Sequence, residues 1–155
     1  MLHLSLPQAM ANADTVMASA DLPAPPDEVI AALVTTKVER WWGSPETYRM
    51  TNWSADFRIG GGWNVSVETA DQRLPASGKF LEIEMPRRIV QTRRYDWNHP
   101  ALGRKETTVA YLLEPIGDGT RLTICHGGFA GFPDAAAEHA DEWARVLGWL
   151  QRYLG

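Results

Sequence analysis

Residues Phe57–Val65 read FRIGGGWNV, with three consecutive glycines between an isoleucine and a tryptophan. Glycine runs of this kind serve either to cradle a phosphate or to turn the backbone between strands. Phosphate loops join a strand to a helix N-terminus with the spacing G-x-G-x-x-G or G-x-x-x-x-G-K-[ST]. Neither spacing occurs here, and Trp63, Val65 and Val67 beyond the glycines alternate as a strand does. With no helix end to face an anion, Gly60–Gly62 are read as a turn that exploits positive φ. A nucleotide enzyme is not indicated; a sheet is.

The strand pattern extends in both directions. Trp53, Ala55 and Phe57 alternate before the glycines. After them come SGKFLEIEM (Ser77–Met85, stopped by Pro86), RRIVQTRRYDW (Arg87–Trp97), ETTVAYLLE (Glu106–Glu114) and GTRLTICHG (Gly119–Gly127). The last two are joined through PIGDG as a hairpin. Connections this short favour an antiparallel meander, because parallel neighbours need crossovers of about a dozen residues or more.

Helices flank this run. A first strand over Ala13–Leu22 is followed by PAPPDEVIAALVTT, where Pro26 suits the first helical position and Asp27 and Glu28 suit the positive helix end. Val29, Ile30, Leu33 and Val34 make its apolar stripe. Thr36–Glu39 has capping-box spacing, so a second short helix is expected to run into Trp41 and Trp42 and to end at GSPE. Near the C-terminus Asp134 is a candidate N-cap, and Trp143, Val146, Leu147, Leu150 and Leu154 fall on one helical face. A helix from Asp134 to Leu154 spans roughly 30 Å, long enough to cross a sheet. The expected fold class is α+β: a curved antiparallel sheet of about six to seven strands around a long C-terminal helix, with two short helices after the first strand.

A chain of 155 residues fits one domain, placed at residues 13–155, with residues 1–12 as a loose leader. The leader has no basic n-region, so it is poor signal-peptide material. A net charge of −4 gives no electrostatic reason to expect nucleic acid or an anionic membrane. Cys125 is the one cysteine, which excludes an internal disulfide and fits a reducing cytoplasm. No apolar run approaches the roughly 18 residues of a membrane span. His3, His99, His126 and His139 lack ligand spacing, so neither a metal nor another cofactor is expected. No G-x-S-x-G elbow accompanies HGGF at 126–129, which argues against a serine hydrolase.

The order ERWWGSPE, ADFRIGGGWNVSV, SGKFLEIEMPRRIVQTRRYDW, GDGTRLTICHGGF and a tryptophan-bearing helix, over about Thr15–Leu154, resembles one known family. It is that of proteins homologous to the C-terminal domain of the activator of heat-shock-protein-ninety ATPase, within the START-like (SRPBCC) helix-grip superfamily. The resemblance implies a sheet gripping the long helix, with an apolar cavity between them. Superfamily members bind small hydrophobic molecules, some are cyclases, dehydratases or hydrolases, and a few act as co-chaperones. No universal catalytic motif exists to carry over, and fold alone does not give function.

Alternation suggests the cavity wall. Leu122, Ile124 and His126 share one face of their strand, Trp63 and Val65 one face of theirs, and Tyr111 lies with Val109 and Leu113. Trp143 and Leu147 form the helical wall, and Trp41 and Trp42 stand where a lid or pocket mouth would be. His126 either meets a ligand or proton, or is a strand-end histidine tied to the backbone. Within 87–97, parity leaves open which of two mixed rows faces inward: Ile89, Gln91, Arg93, Tyr95 and Trp97, or Val90, Thr92, Arg94 and Asp96. Three functions follow: small hydrophobic ligand binding in a cavity of roughly 300–1,000 Å³; an enzyme using His126 with Tyr111 or Asp96; or a co-chaperone-like interaction module. An exposed apolar patch would serve the last as a partner surface or homodimer interface.

Overall fold

The computed structural model describes residues 6–155. His3 and the first five residues of the expected leader lie outside the described residues. The elements are β1 (Gln8–Ala11), β2 (Thr15–Leu22), α1 (Pro26–Val34), α2 (Val38–Trp41), β3 (Arg49–Ala55), β4 (Gly62–Glu68), β5 (Arg73–Glu84), β6 (Arg88–Tyr95), β7 (Thr107–Ile116), β8 (Gly119–Gly127) and α3 (Pro133–Leu154). All eight strands form one antiparallel sheet in the order β1-β2-β8-β7-β6-β5-β4-β3. This is the helix-grip architecture, with one strand more than expected. The extra strand is β1, in the segment read as a loose leader: Gln8–Ala11 pair with Val16–Ser19 of β2.

The glycine run turns the chain between β3 and β4. Gly60 has φ +84°, open to any side chain only with strain, whereas a Cβ on Gly61 would lie 2.0 Å from the Asp56 carbonyl oxygen. The amides are consumed internally: Gly60 N–H donates to Phe80 O at 2.7 Å and Gly61 N–H to Arg58 O at 2.8 Å. With those two donors spent, the run lacks the adjacent free amides that an anion nest at Gly60–Gly61 would need.

Two capping expectations are corrected. Asp134 is not the N-cap of α3; Phe132 holds that place, Pro133 opens the helix, and Asp134 stands in the first turn, where its charge favours the helix dipole. At α2 no side-chain cap forms. Thr35 instead of Thr36 accepts the Lys37 amide at 3.2 Å, and Glu39 reaches across to the Asn52 and Trp53 amides at 3.3 and 3.4 Å. Those amides are freed by a bulge in β3, where Asn52 takes φ 55°. Tertiary demand for an acceptor at the bulge outcompetes the local box.

The 22-residue α3 packs on the sheet face made by Leu122, Ile124 and His126 of β8 and Val109, Tyr111 and Leu113 of β7, all nearly or wholly buried. Its own buried stripe runs Ala135, Ala136, His139, Ala140, Trp143, Val146, Leu147 and Leu150. In β6 the register Ile89↔Tyr111, Gln91↔Val109 and Arg93↔Thr107 turns the Ile89–Arg93 row toward the helix. Arg94 and Asp96 form a solvated pair at 2.9 Å on the other face. No helix of the described residues is long and apolar enough to cross a membrane.

Candidate functional site

The core between sheet and helix is apolar and aromatic, consistent with a ligand-binding cavity. The expected large volume is not there. Trp42, Trp53, Trp63, Met50 and Tyr111 close around a space of about 20 Å³. Indole rings fill what smaller side chains would leave open: Trp63 stacks on Trp53 at 5.5 Å, and Trp42 packs on Trp143 at 5.7 Å. Beside this space a cleft of about 150 Å³ opens between the end of β6 and the first half of α3.

Tyr48, Met50, Val67, Arg93, Tyr95, Trp97, His99, Glu138, His139 and Glu142 line the cleft. The helical contribution follows from spacing, since residues 138, 139 and 142 are three and four apart and share one face. Arg93 borders both spaces. Its guanidinium carbon stands 5.9 Å from the Trp42 ring, 5.6 Å from Tyr95 and 5.7 Å from Trp143, within cation–π range of each. Glu142 shares the cleft and is engaged there: the Tyr48 hydroxyl donates to it, Arg145 pairs with it at 3.4 Å, and its charge acts on Arg93. Burial first, then the Glu142 charge, pushes the Tyr48 phenol well above its usual range.

Hydrogen bonds assign each buried histidine. His139 Nδ1 faces the Ala135 carbonyl at 2.8 Å, which can only accept, so Nδ1 carries the proton and Nε2 accepts from the Tyr95 hydroxyl at 3.0 Å. Burial, then the Arg93 charge, pushes His139 down to about 4. His126 Nδ1 accepts from Trp143 Nε1–H at 3.0 Å, so its Nε2–H donates to Thr107 Oγ1 at 2.7 Å. Burial and the same arginine hold His126 neutral as well, with His139 acting in the same sense. In His99, Nδ1 accepts the Ala101 and Leu102 amides, which leaves Nε2–H toward Glu138 at 3.8 Å.

Of the residues expected at the site, Trp42, Trp63, Val65 and Tyr111 line the 20 Å³ space. Trp41 is buried with its indole N–H on Ala32 O at 2.8 Å. Leu122, Ile124 and Leu147 are in close-packed core, and His126 and Trp143 bond one another beneath the cleft. The acid–base set proposed from the sequence does not converge: both His126 nitrogens are used internally, Tyr111 is buried and pushed up to about 12 by that burial, and Asp96 binds Ser77 and Arg94 on the outer face. Arg93, Tyr95 and His139, which make the cleft, were legible only in part. His139 lies four residues before Trp143 on the apolar stripe, but the inward row of β6 needed the β7 register.

A larger groove, about 260 Å³, lies on the outer face over β1, β2 and β8 and includes Met10, Met17 and Arg121. Its arginine is engaged by Asp21 at 2.8 Å. Among the described residues, no group of three or more His, Cys, Asp or Glu is placed to hold a metal.

The structure is similar to protein CV1439 from Chromobacterium violaceum, with TM-score 0.76 and 25% identity over 90% of this chain and 96% of that one. It is similar also to protein Ms6760 from Mycobacterium smegmatis (0.77, 15%, 98% of each chain) and to CalU16 from Micromonospora echinospora (0.66, 21%, 99% of this chain and 87% of that one). No curated protein matches the sequence. The family model for activator of Hsp90 ATPase homolog 1-like protein matches residues 23–155, and with the sheet-and-helix architecture this shows that the chain belongs to that family.

Proposed function

We propose that this protein binds a small, mainly apolar molecule of about one aromatic ring in the cleft between β6 and α3, as a carrier, sensor or sequestering module. The observation that carries this reading is the cleft itself, about 150 Å³ and walled by Tyr48, Tyr95, Trp97 and His99. An engineered apolar cavity of about this size takes up benzene, so one ring is the right scale. Aromatic walls supply contact area, and Arg93, His139 and Glu142 supply the few polar groups that orient a guest. Sterol-sized ligands do not fit this arrangement of tryptophans.

The test uses benzyl alcohol, a neutral single-ring probe, titrated into isotopically labelled protein and followed by amide and indole NMR shifts. Saturable shifts confined to the Tyr95–His99 segment, the Trp97 indole and the first half of α3 are expected. A titration that moves none of these, or moves the outer-face groove instead, overturns the reading.

A further inference from the structure

Resting on that reading of the cleft, we infer that its ligand is a small aromatic carboxylic acid, bound as the carboxylate against Arg93. The inference starts from what the fold leaves unpaired. Among the described residues, three buried side-chain polar atoms have no hydrogen-bond partner: Trp63 Nε1, Arg93 Nε and Trp97 Nε1. All three are N–H donors. Trp97 borders the cleft, Trp63 borders the small space beside it, and Arg93 borders both. Buried donors are almost always satisfied in folded proteins, so the unpaired Arg93 and Trp97 N–H groups, both on residues that line the cleft, mark a place for an acceptor.

Charge narrows the acceptor to an anion. No ion pair to Arg93 forms among the described residues, although its guanidinium is packed among three aromatic rings. The Glu142 charge acts on Arg93 from across the cleft but makes no direct ion pair with it. A buried cation without a contacting counter-ion is costly, and an arginine does not escape by losing its proton. The unpaired atom is Nε, one prong of the fork with which arginine grips a carboxylate through two parallel N–H···O bonds.

The other ionisable groups around the cleft favour one negative charge over two. Glu142 is already satisfied by Tyr48 and Arg145, and Glu138 is at the rim with 60% of its side chain exposed, near His99. His99 and His139 are neutral near pH 7, held below their ordinary value chiefly by burial. A monocarboxylate therefore balances Arg93, whereas a phosphate dianion would meet Glu138 and Glu142 with nothing to offset its second charge. The ring of the acid would lie among Tyr95, Trp97 and His99, the last stacked on Tyr95 at 4.2 Å.

Benzoate and benzyl alcohol have nearly the same size and differ in charge, so titrating both at pH 7 separates the two levels of the argument. Wild type is expected to bind benzoate at least about tenfold more tightly than benzyl alcohol, as a desolvated charge pair requires. Arg93→Met keeps an apolar stem without the charge and should remove that preference, so that the variant binds benzoate and benzyl alcohol within about threefold of one another. Arg93→Lys should restore only part of the preference, because it keeps the charge but not the fork. Trp97→Phe is the second probe should Arg93→Met not fold: it keeps the ring, removes the N–H, and should weaken benzoate more than benzyl alcohol. Equal affinity of wild type for the two probes overturns the carboxylate inference and leaves the cleft reading standing. Binding of neither overturns both. A benzoate preference that survives Arg93→Met, with normal folding shown by its NMR spectrum, also overturns the inference.

Discussion

At the scale of single residues, burial next to a fixed positive charge makes His139 a neutral hydrogen-bonding group. Its folded value of about 4 lies below the ordinary 6.5, so the unfolded chain binds the proton more readily. The stability this neutral form contributes is complete above about pH 6.5 and is lost as pH falls toward 4. The full loss is on the order of 3 kcal/mol for this one group. His126 and His99, also depressed, act in the same direction. Urea denaturation at pH 7.5, 6, 5 and 4 should show falling stability, with a visibly shallower decline in His139→Gln. Superimposable pH profiles for the two proteins would show that His139 titrates normally. His126 belongs to the same logic: it is tied neither to the backbone nor to an open pocket, but bridges the side chains of Trp143 and Thr107.

Among the elements, the turn between β3 and β4 shows how one glycine differs from its neighbour. At Gly60 a side chain meets open space but must adopt φ +84°, a strain of about 1 kcal/mol. A methyl at Gly61 would be driven into the Asp56 carbonyl, which is backbone and cannot swing aside. Gly60→Ala is therefore expected to cost about 1 kcal/mol, and Gly61→Ala at least about 3 kcal/mol, the range of genuine backbone disruption. Comparing their urea midpoints checks this, and similar midpoints would mean that the turn yields more easily than its hydrogen bonds to Phe80 and Arg58 imply.

For the whole molecule, tryptophans set the size of what the grip can hold. Trp63 lines the 20 Å³ space, and its indole nitrogen has no acceptor, so truncating it removes volume without breaking a hydrogen bond. Trp63→Ala should cost about 3–5 kcal/mol through the cavity it leaves. That is tolerable for a domain of ordinary stability, about 5–15 kcal/mol. The enlarged space adjoins Arg93, which also borders the cleft. The variant should then bind 1-naphthol at least about tenfold more tightly than wild type, measured by fluorescence titration. Unchanged naphthol affinity in a folded variant would mean that the two spaces do not communicate.

What the sequence determined by itself was the plan of the fold. The switch from period two to the helical stripe of Trp143, Val146, Leu147 and Leu150 is a local property, and so is the turn chemistry of the glycines. The rows Leu122–Ile124–His126 and Val109–Tyr111–Leu113 face the core as alternation alone requires. The box at Thr36 gives way to a distant partner, since the bulge in β3 takes Glu39, whereas the cap at Asp134 gives way locally, because Pro133 already opens the helix. Pairing with β2 draws Gln8–Ala11 into the sheet, which no local pattern announces. The tertiary structure alone decided the site. Which row of β6 faces inward depends on its register with β7, and both rows were too mixed for parity to choose. Cavity volume is the small difference between a large space and the side chains that fill it. Whether seven tryptophans line a pocket or plug it is settled by their packing geometry, which no count or period contains.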